Sequence, residues 1–502
     1  MRVPPPPADA PAAPRIPYAF ARAHGVLAWR DEGERVVVLL RPGASVDALT
    51  EVRRVLDRAI VTRAVDAETF AAELAKAYNQ AGAAVAMSES LANEADLARL
   101  LQEMPASEDL LDAGAQAPVI RMINALLLEA LRERASDLHF EPYEARAAVR
   151  FRIDGMLRDA IEPPRALHAA LVSRVKIMAG LDIAEKRLPQ DGRIALKLGG
   201  RQVDVRVSTL PTGAGERVVL RLLDQQAARL DLGALGMSDD TLRAVDALIR
   251  EPHGILLVTG PTGSGKTTTL YTALSRINTP DRKIITVEDP VEYQLEGINQ
   301  MQVKPGIGLD FAGALRSIVR QDPDVIMIGE MRDLETCRIA IQSALTGHLV
   351  LSTLHTNSAA GGLTRLLDMG VEDYLLASTV NAIVAQRLVR CLDPDAAEAY
   401  EPLPEMVEEL GLDKLTDERP LRLYRPRPTS ENPSGFYGRL AIIEQLTMND
   451  ALRRLLMQHA DASDIERAAR QSGMRTMYED GLRKALAGLT TIEEVLRVTQ
   501  EA

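Results

Sequence analysis

The sequence predicts an α/β protein whose C-terminal half is a parallel β-sheet with crossover helices. Short, strongly apolar runs alternate there with segments long enough to form helices, which is typical of such a sheet. The first run leads into a glycine-rich loop pattern, and the second and third runs end in acidic residues. These three features indicate a nucleotide-binding domain over residues 230–502. The four runs are residues 255–259, 283–287, 325–328 and 349–354.

The loop pattern, GPTGSGKT, occupies residues 260–267 and matches a phosphate-binding loop. Its glycines let backbone N–H groups turn towards a β-phosphate, and the N-terminus of the following helix adds a favourable dipole. Lys266 is placed to reach the β- and γ-phosphates of ATP, and the Thr267 hydroxyl can ligate Mg²⁺. The predicted nucleotide-binding residues are Gly260, Pro261, Thr262, Gly263, Ser264, Gly265, Lys266, Thr267 and Thr268.

Two acidic residues at strand ends are the candidates for hydrolytic chemistry. Hydrolysis needs carboxylates that hold the metal shell and orient the attacking water. Glu288 follows the run 283–287, and Glu330 follows the run 325–328 after one glycine. Because ligands bind beyond the carboxyl ends of parallel strands, we expect both acids to face the loop. We expect Glu330 to act on Mg²⁺ through a bound water and Glu288 to orient or deprotonate the attacking water, but the sequence leaves open which is the base.

Two histidines flank the fourth apolar run. His355 follows it, so we expect this side chain near the nucleotide, where it can donate a hydrogen bond to the γ-phosphate. His348 precedes the run and is expected at the opposite end of the strand. Neither histidine has a metal-ligand spacing with other His or Cys residues.

A small α/β domain is predicted over residues 15–80. It would contain a strand over residues 36–40 and amphipathic helices over residues 46–59 and 67–78. Residues 81–114 are rich in Ala, Glu and Asp and are predicted to form a linker.

A second, α+β domain is predicted over residues 115–226. A helix is expected over residues 118–134 and another over 165–180, and the Asp154-Gly155 pair indicates a hairpin turn. The predicted strands are residues 147–153, 193–198, 203–209 and 217–223. Beyond residue 440 the chain is expected to be mostly helical.

The composition narrows the classes of partner and compartment. A net charge of −12 and an aromatic content of 3% argue against a nucleic-acid partner. The two cysteines, Cys337 and Cys391, are expected to be passive packing residues in a reducing cytoplasm. No apolar run approaches the roughly 20 residues that span a bilayer. Residues 1–14, rich in Pro and Ala, are predicted to be a disordered leader.

Four segments together resemble the type II/IV secretion and pilus-assembly ATPases. In family terms they look like the Walker A motif, the Asp box, the Walker B motif and the His box. The resemblance implies a RecA-like ATPase domain that uses ATP and Mg²⁺. The segments are residues 260–269 (GPTGSGKTTT), 285–292 (ITVEDPVE), 320–333 (RQDPDVIMIGEMRD) and 346–357 (TGHLVLSTLHTN).

The resemblance continues upstream and indicates the branch of the family. Residues 136–142, 190–193 and 206–211 look like the second N-terminal domain of these ATPases, which implies a PAS-like fold. Residues 16–27 are similar to the opening domain of the type II secretion ATPases, the GspE/PulE branch. Pilus extension ATPases are the nearest alternative.

The resemblance also implies an assembly and partners. It implies a homohexamer with active sites between the second N-terminal domain and the ATPase domain, where Arg206 and Arg221 would reach the γ-phosphate. Residues 15–80 would dock on an inner-membrane platform protein of the GspL kind. The expected function is therefore that of a cytoplasmic motor, peripheral at the inner membrane, which powers pseudopilus assembly and protein export.

One departure from the branch concerns zinc. Relatives in this branch commonly carry a four-cysteine zinc site after the segment that matches residues 387–390. Here Asp393 and Ala396 stand at the first cysteine pair, and residues 424–437 contain no cysteine. One thiol, Cys391, cannot build a tetrahedral four-cysteine site, so we predict no structural zinc. Residues 393–436 would then be held by packing or be mobile.

Two functions from other classes are alternatives to a motor. A nucleic-acid translocase shares the RecA-like core, but the net negative charge of the chain disfavours this function. A nucleotide-binding regulator without turnover is disfavoured by the full set of Lys266, Thr267, Glu288 and Glu330.

Overall fold

A computed structural model of the chain describes residues 16, 20–21, 24–31, 35–44, 46–56, 58–67, 69–70, 73, 116–198, 201–224, 231–429 and 432–500. They divide into two compact units, one within Met1–Ile153 and Leu157–Leu222 and the other within Asp154–Met156 and Leu223–Ala502. The predicted leader (1–14) and linker (81–114) lie outside the described residues. The predicted domain boundaries stay predictions.

A three-stranded sheet forms the N-terminal part of the first unit. Its order is β1-β2-β3, with β1 antiparallel and β3 parallel to β2. The strand predicted at 36–40 is confirmed, but the helix predicted to reach residue 59 ends at Leu56, because Ala59 already pairs with Arg35. The helix predicted over 67–78 lies mostly outside the described residues. The elements are β1 (Val26–Asp31), β2 (Arg35–Leu40), α1 (Val46–Leu56) and β3 (Ala59–Ala64).

The rest of the first unit is a six-stranded sheet with two helices, and its strand order is β6-β5-β4-β9-β8-β7. Both predicted helices and all four predicted strands are present. Strands β4 and β6 were not predicted, and in β4 the alternation of apolar Leu138 and Phe140 with polar residues hides the strand character. Asp154 and Gly155 both have positive φ, as the predicted turn requires. The elements are α2 (Gln116–Arg132), β4 (Asp137–Pro142), β5 (Ala147–Ile153), β6 (Met156–Ile161), α3 (Arg165–Met178), β7 (Gln190–Leu198), β8 (Arg201–Thr212) and β9 (Gly215–Asp224).

The second unit is built on a seven-stranded sheet of order β12-β11-β13-β14-β10-β15-β18. Neighbouring strands are parallel from β12 to β15, and β18 is antiparallel to β15. The four predicted strands are confirmed and form the centre of the sheet. The strands are β10 (Gly254–Thr259), β11 (Ile284–Glu288), β12 (Asn299–Gln302), β13 (Val325–Ile328), β14 (Leu349–Leu354), β15 (Val380–Leu392) and β18 (Phe436–Thr447).

Helices cover both faces of this sheet, so each face has its own apolar core. On one face α4 and α5 pack against the strands, and on the other α6 to α9 and the C-terminal helices do so. The predicted helical tail begins only at Asp450, because β18 continues to Thr447. The helices are α4 (Asp239–Leu248), α5 (Lys266–Ile277), α6 (Phe311–Ile318), α7 (Leu334–Leu345), α8 (Ala359–Asp368), α9 (Asp373–Thr379), α11 (Asp450–Met457), α12 (Ala462–Gln471), α13 (Met477–Leu486) and α14 (Ile492–Thr499).

Residues 393–429 and 432–435 form a small folded insert between β15 and β18. It contains β16 (Ala397–Tyr400), α10 (Pro404–Leu410) and β17 (Leu423–Pro426), with β16 antiparallel to β17. Of the two alternatives left by the sequence, the structure supports packing, since the insert shares an apolar core with α13 and α14. The buried members of that core are Leu412, Leu421, Leu423, Leu482, Ala485, Ile492 and Val495.

Polar contacts close the insert where its two ends meet. Asn432 Nδ2 donates to Asp393 Oδ2 at 2.7 Å, and the Asp393 N–H donates to Gly435 O at 3.0 Å. Asn432 Oδ1 in turn accepts from Ser434 N at 3.2 Å. We call these contacts the Asp393–Asn432 clasp. It joins the start and the end of the insert without a thiolate ligand.

Candidate nucleotide site

The phosphate loop connects the buried strand β10 to α5, which begins at Lys266. Gly260, with φ of +148°, lies so close to β15 that a Cβ there would stand 2.4 Å from Gln386 O. Gly263 and Gly265 also have positive φ. Ser264 is buried, and its hydroxyl has no hydrogen-bond partner among the described residues. A glycine-rich loop at a helix N-terminus with an unpaired, buried hydroxyl fits an anionic ligand such as a phosphate.

Gln386 on β15 supports this loop, although its role was not predicted from the sequence. Its side-chain amide donates to Ser264 O at 2.7 Å, and Thr269 Oγ1 donates to its Oε1 at 2.8 Å. Gln386 is 1% exposed, in the middle of a strand that is otherwise mostly apolar. A polar amide within a buried, apolar strand is the sequence signal that could have revealed the role of Gln386.

Lys266 is largely buried, and its ammonium group bonds to the loop itself. Nζ donates to Gly260 O at 2.7 Å and to Pro261 O at 3.0 Å. Burial lowers the pKa of Lys266 to about 8, and the nearby charge of Glu330 opposes that shift. The two carbonyl oxygens therefore accept N–H groups of Lys266 that would donate to a bound phosphate. Thr267 is exposed at the start of α5, so its hydroxyl is available to a ligand.

Glu330 lies one residue beyond β13, beside three potential cations. Arg332 Nη2 lies 2.5 Å from Glu330 Oε1, and His355 Nε2 lies 3.5 Å from Glu330 Oε2. The pKa of His355 is lowered, first by burial and then by the charge of Lys266. The structure therefore brings the candidate residues Lys266, Glu330 and His355 together. Arg332 was not predicted as a site residue, because exposed arginines give no signal of their own in a sequence.

Glu288 ends the neighbouring strand β11 and has a different environment. The carboxylate is 3% exposed and accepts hydrogen bonds from the hydroxyls of Tyr271 and Thr286 and, at 3.2 Å, from Gln300 Nε2. Burial raises the pKa of Glu288, although these donors oppose the shift. Tyr271 and Gln300 were not predicted, because they lie 17 and 12 residues from Glu288 in sequence.

The remaining candidates belong to other elements. His348 is at the opposite end of β14 from His355, as expected, and its Nδ1 lies 2.8 Å from Ser343 O. Arg206 and Arg221 belong to the first unit, on β8 and β9. There Arg221 Nε donates to Asp137 Oδ1 at 2.9 Å.

Comparison with known proteins identifies the family. A family model described as Type II/IV secretion system protein matches residues 112–497, and a second one, for an N-terminal domain of GSPII protein E, matches residues 15–78. The chain belongs to the type II/IV secretion ATPase family. The resemblance seen in the sequence is confirmed, and ATP hydrolysis is the activity of the chain.

Several relatives of this secretion ATPase match over most of their length. Type II secretion system protein E of Pseudomonas aeruginosa is 51% identical over 505 residues, which cover 100% of both chains. The protein of the same description from Xanthomonas campestris is 64% identical over 395 residues, 79% of this chain and 70% of that protein. Type II secretion system ATPase E of Vibrio cholerae is 47% identical and covers 99% of both.

Solved structures confirm the predicted RecA-like fold class. The pilus retraction motor PilT with bound ADP matches with a TM-score of 0.51 and 26% identity, over 75% of this chain and 96% of that chain. The ATPase DotB of Yersinia pseudotuberculosis matches with a TM-score of 0.57 and 22% identity, over 76% of this chain and 94% of that chain. The latter likeness concerns the fold alone.

Neither a membrane span nor a protein-built metal centre is present among the described residues. No helix in this part of the chain is long and apolar enough to cross a bilayer. The same residues hold no group of three or more His, Cys, Asp or Glu side chains arranged around a metal ion. The insert does not fit the zinc site of relatives, because residues 393–436 contain no cysteine.

Proposed function

We propose that this secretion ATPase is a hexameric motor that hydrolyses ATP to power pseudopilus assembly in type II secretion. The match of residues 15–78 to an N-terminal domain of GSPII protein E carries the proposal, since it adds a module of protein E to the ATPase core. Three relatives named as type II components cover at least 79% of the chain, whereas pilus extension, the alternative from the sequence, gains no comparable support. The motor would work in the cytoplasm at the inner membrane.

The loop would bind the phosphates of ATP. Lys266 would exchange the carbonyl oxygens of Gly260 and Pro261 for β- and γ-phosphate oxygens, while Ser264 offers its unpaired hydroxyl. The donor set also fits Mg²⁺, which prefers oxygen ligands and keeps several waters. The Thr267 hydroxyl would be one ligand, and Glu330 would act through a bound water. Bound Mg²⁺ would neutralise charge on the phosphates.

The surroundings of the two acids suggest separate roles. Glu330 lies among the charges of Lys266 and Arg332, which suits a carboxylate that acts in a metal shell. Glu288 is buried, has a raised pKa and accepts hydrogen bonds from neutral donors, which suits a proton acceptor for the attacking water. We therefore assign Glu288 as the base. His355 would donate a hydrogen bond to the γ-phosphate.

Arginines of the first unit would complete the site on assembly. Arg221 is more than half exposed in the single chain, with a side-chain exposure of 56%. A guanidinium that reaches the γ-phosphate from such a position would stabilise charge as an arginine finger does. We propose this role for Arg206 and Arg221. Residues 15–80 would dock on the cytoplasmic domain of a platform protein of the GspL kind, so that assembly gates turnover.

The experiment that tests this function is Mg²⁺-dependent ATP turnover by the full chain, with and without that platform domain. Turnover should rise on docking and vanish in Glu330→Gln, which should still bind nucleotide. Glu296→Gln, at an exposed position outside the cluster, is the matched control and should turn over as the unaltered chain does. Nucleotide binding without turnover under every condition would refute the motor.

A further inference from the structure

Tyr271 is a fully buried polar residue that has no role in the proposed mechanism of hydrolysis. It lies on α5, four residues after Thr267, and is 1% exposed. Its ring packs edge-on against Tyr293, with centroids 4.7 Å apart and an interplanar angle of 84°. The ring could serve the apolar core alone. The hydroxyl, however, needs partners, because an unpaired buried polar group is costly.

The partners of this hydroxyl determine where its proton points. The N–H of Glu292 lies 3.2 Å and Gln300 Nε2 lies 3.4 Å from the phenolic oxygen, and both groups are donors. The only acceptor among its bonded neighbours in the described residues is Glu288 Oε2. A tyrosine hydroxyl has a single proton to donate. That proton is therefore directed at the Glu288 carboxylate.

The carboxylate is thereby held on both oxygens. Oε1 accepts from Thr286 and Gln300, and Oε2 accepts from Tyr271. A carboxylate has about four lone-pair sites, so three donors leave about one for a further partner. Since Thr286 lies on the strand of Glu288 and Gln300 on the adjacent β12, Tyr271 supplies the contact from the helix that follows the phosphate loop.

We propose that Tyr271 is a positioning residue that holds the remaining lone pair of Glu288 in one direction and links it to the phosphate-loop helix. This inference rests on the proposed function, in which Glu288 takes a proton from water. Tyr271 does not touch the reacting atoms and acts through Glu288. A shift of α5 on nucleotide binding would move the Glu288 carboxylate with it.

The hydroxyl also affects the charge state of Glu288. Burial and the nearby charge of Glu292 raise the pKa of Glu288, whereas the donors from Thr286, Tyr271 and Gln300 lower it. Tyr293 is a further titratable neighbour, and its own pKa is raised to about 12, so it stays neutral. Removal of the Tyr271 hydroxyl should raise the pKa of Glu288 further. The base must be ionised to accept a proton. The acidic limb of the pH profile of kcat should therefore move to higher pH.

The test compares full-length Tyr271→Phe with Tyr293→Phe. Tyr271→Phe keeps the ring but removes the donor, and it should lower kcat about tenfold and move the acidic limb up by about one pH unit, as expected for one lost hydrogen bond to a charged group. Binding of a fluorescent ADP analogue should not change. Tyr293→Phe removes the hydroxyl of a partly buried tyrosine that is not bonded to Glu288, and it should leave the acidic limb in place.

Two outcomes would overturn the inference. One is a Tyr271→Phe protein with an unchanged acidic limb, even if its melting temperature falls, since that would show a packing role. The other comes from infrared titration of the Glu288 carboxyl band, identified by its absence in Glu288→Gln, if Tyr271→Phe leaves that pKa unchanged. The titration needs no turnover, so it tests Tyr271 even if the unaltered chain proves inactive and the proposed function fails.

Discussion

His355 Nε2 lies 3.5 Å from Glu330 Oε2, at the carboxyl ends of the adjacent parallel strands β14 and β13. Both side chains also lie within electrostatic reach of Lys266. The lowered pKa of His355 keeps the imidazole neutral at pH 7, so it can both donate and accept a hydrogen bond. One ring can therefore contact Glu330 and, in the proposed mechanism, the γ-phosphate.

His355→Ala should lower kcat about tenfold while nucleotide affinity stays the same, because one hydrogen bond to a charged group is lost. His348→Ala is the matched control, since this histidine lies at the other end of the same strand. Steady-state turnover and nucleotide titration check both variants. Equal losses of kcat in the two variants would contradict a role at the γ-phosphate.

ATP affinity should fall as the pH rises through the pKa of Lys266. In the unliganded chain this pKa is about 8, and phosphate binding favours the protonated amine, so binding above pH 8 requires proton uptake. The affinity should therefore drop about tenfold between pH 7.5 and pH 9. Calorimetric titration across this range measures it. Lys283→Ala, at an exposed lysine, should keep the same pH dependence, and a flat profile in the unaltered chain would contradict the expectation.

Two glycines of the phosphate loop should differ in their tolerance of alanine. A Cβ at Gly260 would lie 2.4 Å from Gln386 O and 2.7 Å from Ser264 Oγ, so the loop must open, and Gly260→Ala should abolish nucleotide binding. A Cβ at Gly263 would meet no atom within 4 Å. Gly263→Ala should therefore cost only about 1–2 kcal/mol of backbone strain and retain measurable binding. Similar affinities for both variants would contradict the steric argument.

The insert should be stable without metal. EDTA should not change the Tm of the purified chain, because the Asp393–Asn432 clasp and an apolar core hold residues 393–436. Asn432→Ala should lower Tm by about 2–4 °C, as expected for about 1 kcal/mol in a domain of this size. Asp395→Asn, at an exposed neighbouring carboxylate, should leave Tm unchanged. A large drop in Tm with EDTA would overturn the metal-free account.

Much of the fold could be predicted because its signals are local. The central strands are continuous apolar runs, and the loop pattern of residues 260–267 is contiguous. The missed elements have weak local signals. Strand β3 is largely exposed, β4 alternates polar and apolar residues, and β12 has four residues and no buried one. Such strands form because a neighbouring strand offers hydrogen bonds to them, and a sequence does not show this.

The sequence by itself determined the family and the candidates for the site, namely the phosphate loop, Glu288, Glu330 and His355. All of these follow from short contiguous motifs, because backbone approach to phosphate demands particular residues at fixed spacing. Only the tertiary structure decided how those residues are supported. Gln386 reaches the loop from 122 residues away, and Tyr271 reaches Glu288 across 17. The different surroundings of the two acids, one among charges and one among buried neutral donors, likewise arise from packing between distant segments, since desolvation and donor geometry depend on which side chains meet in space.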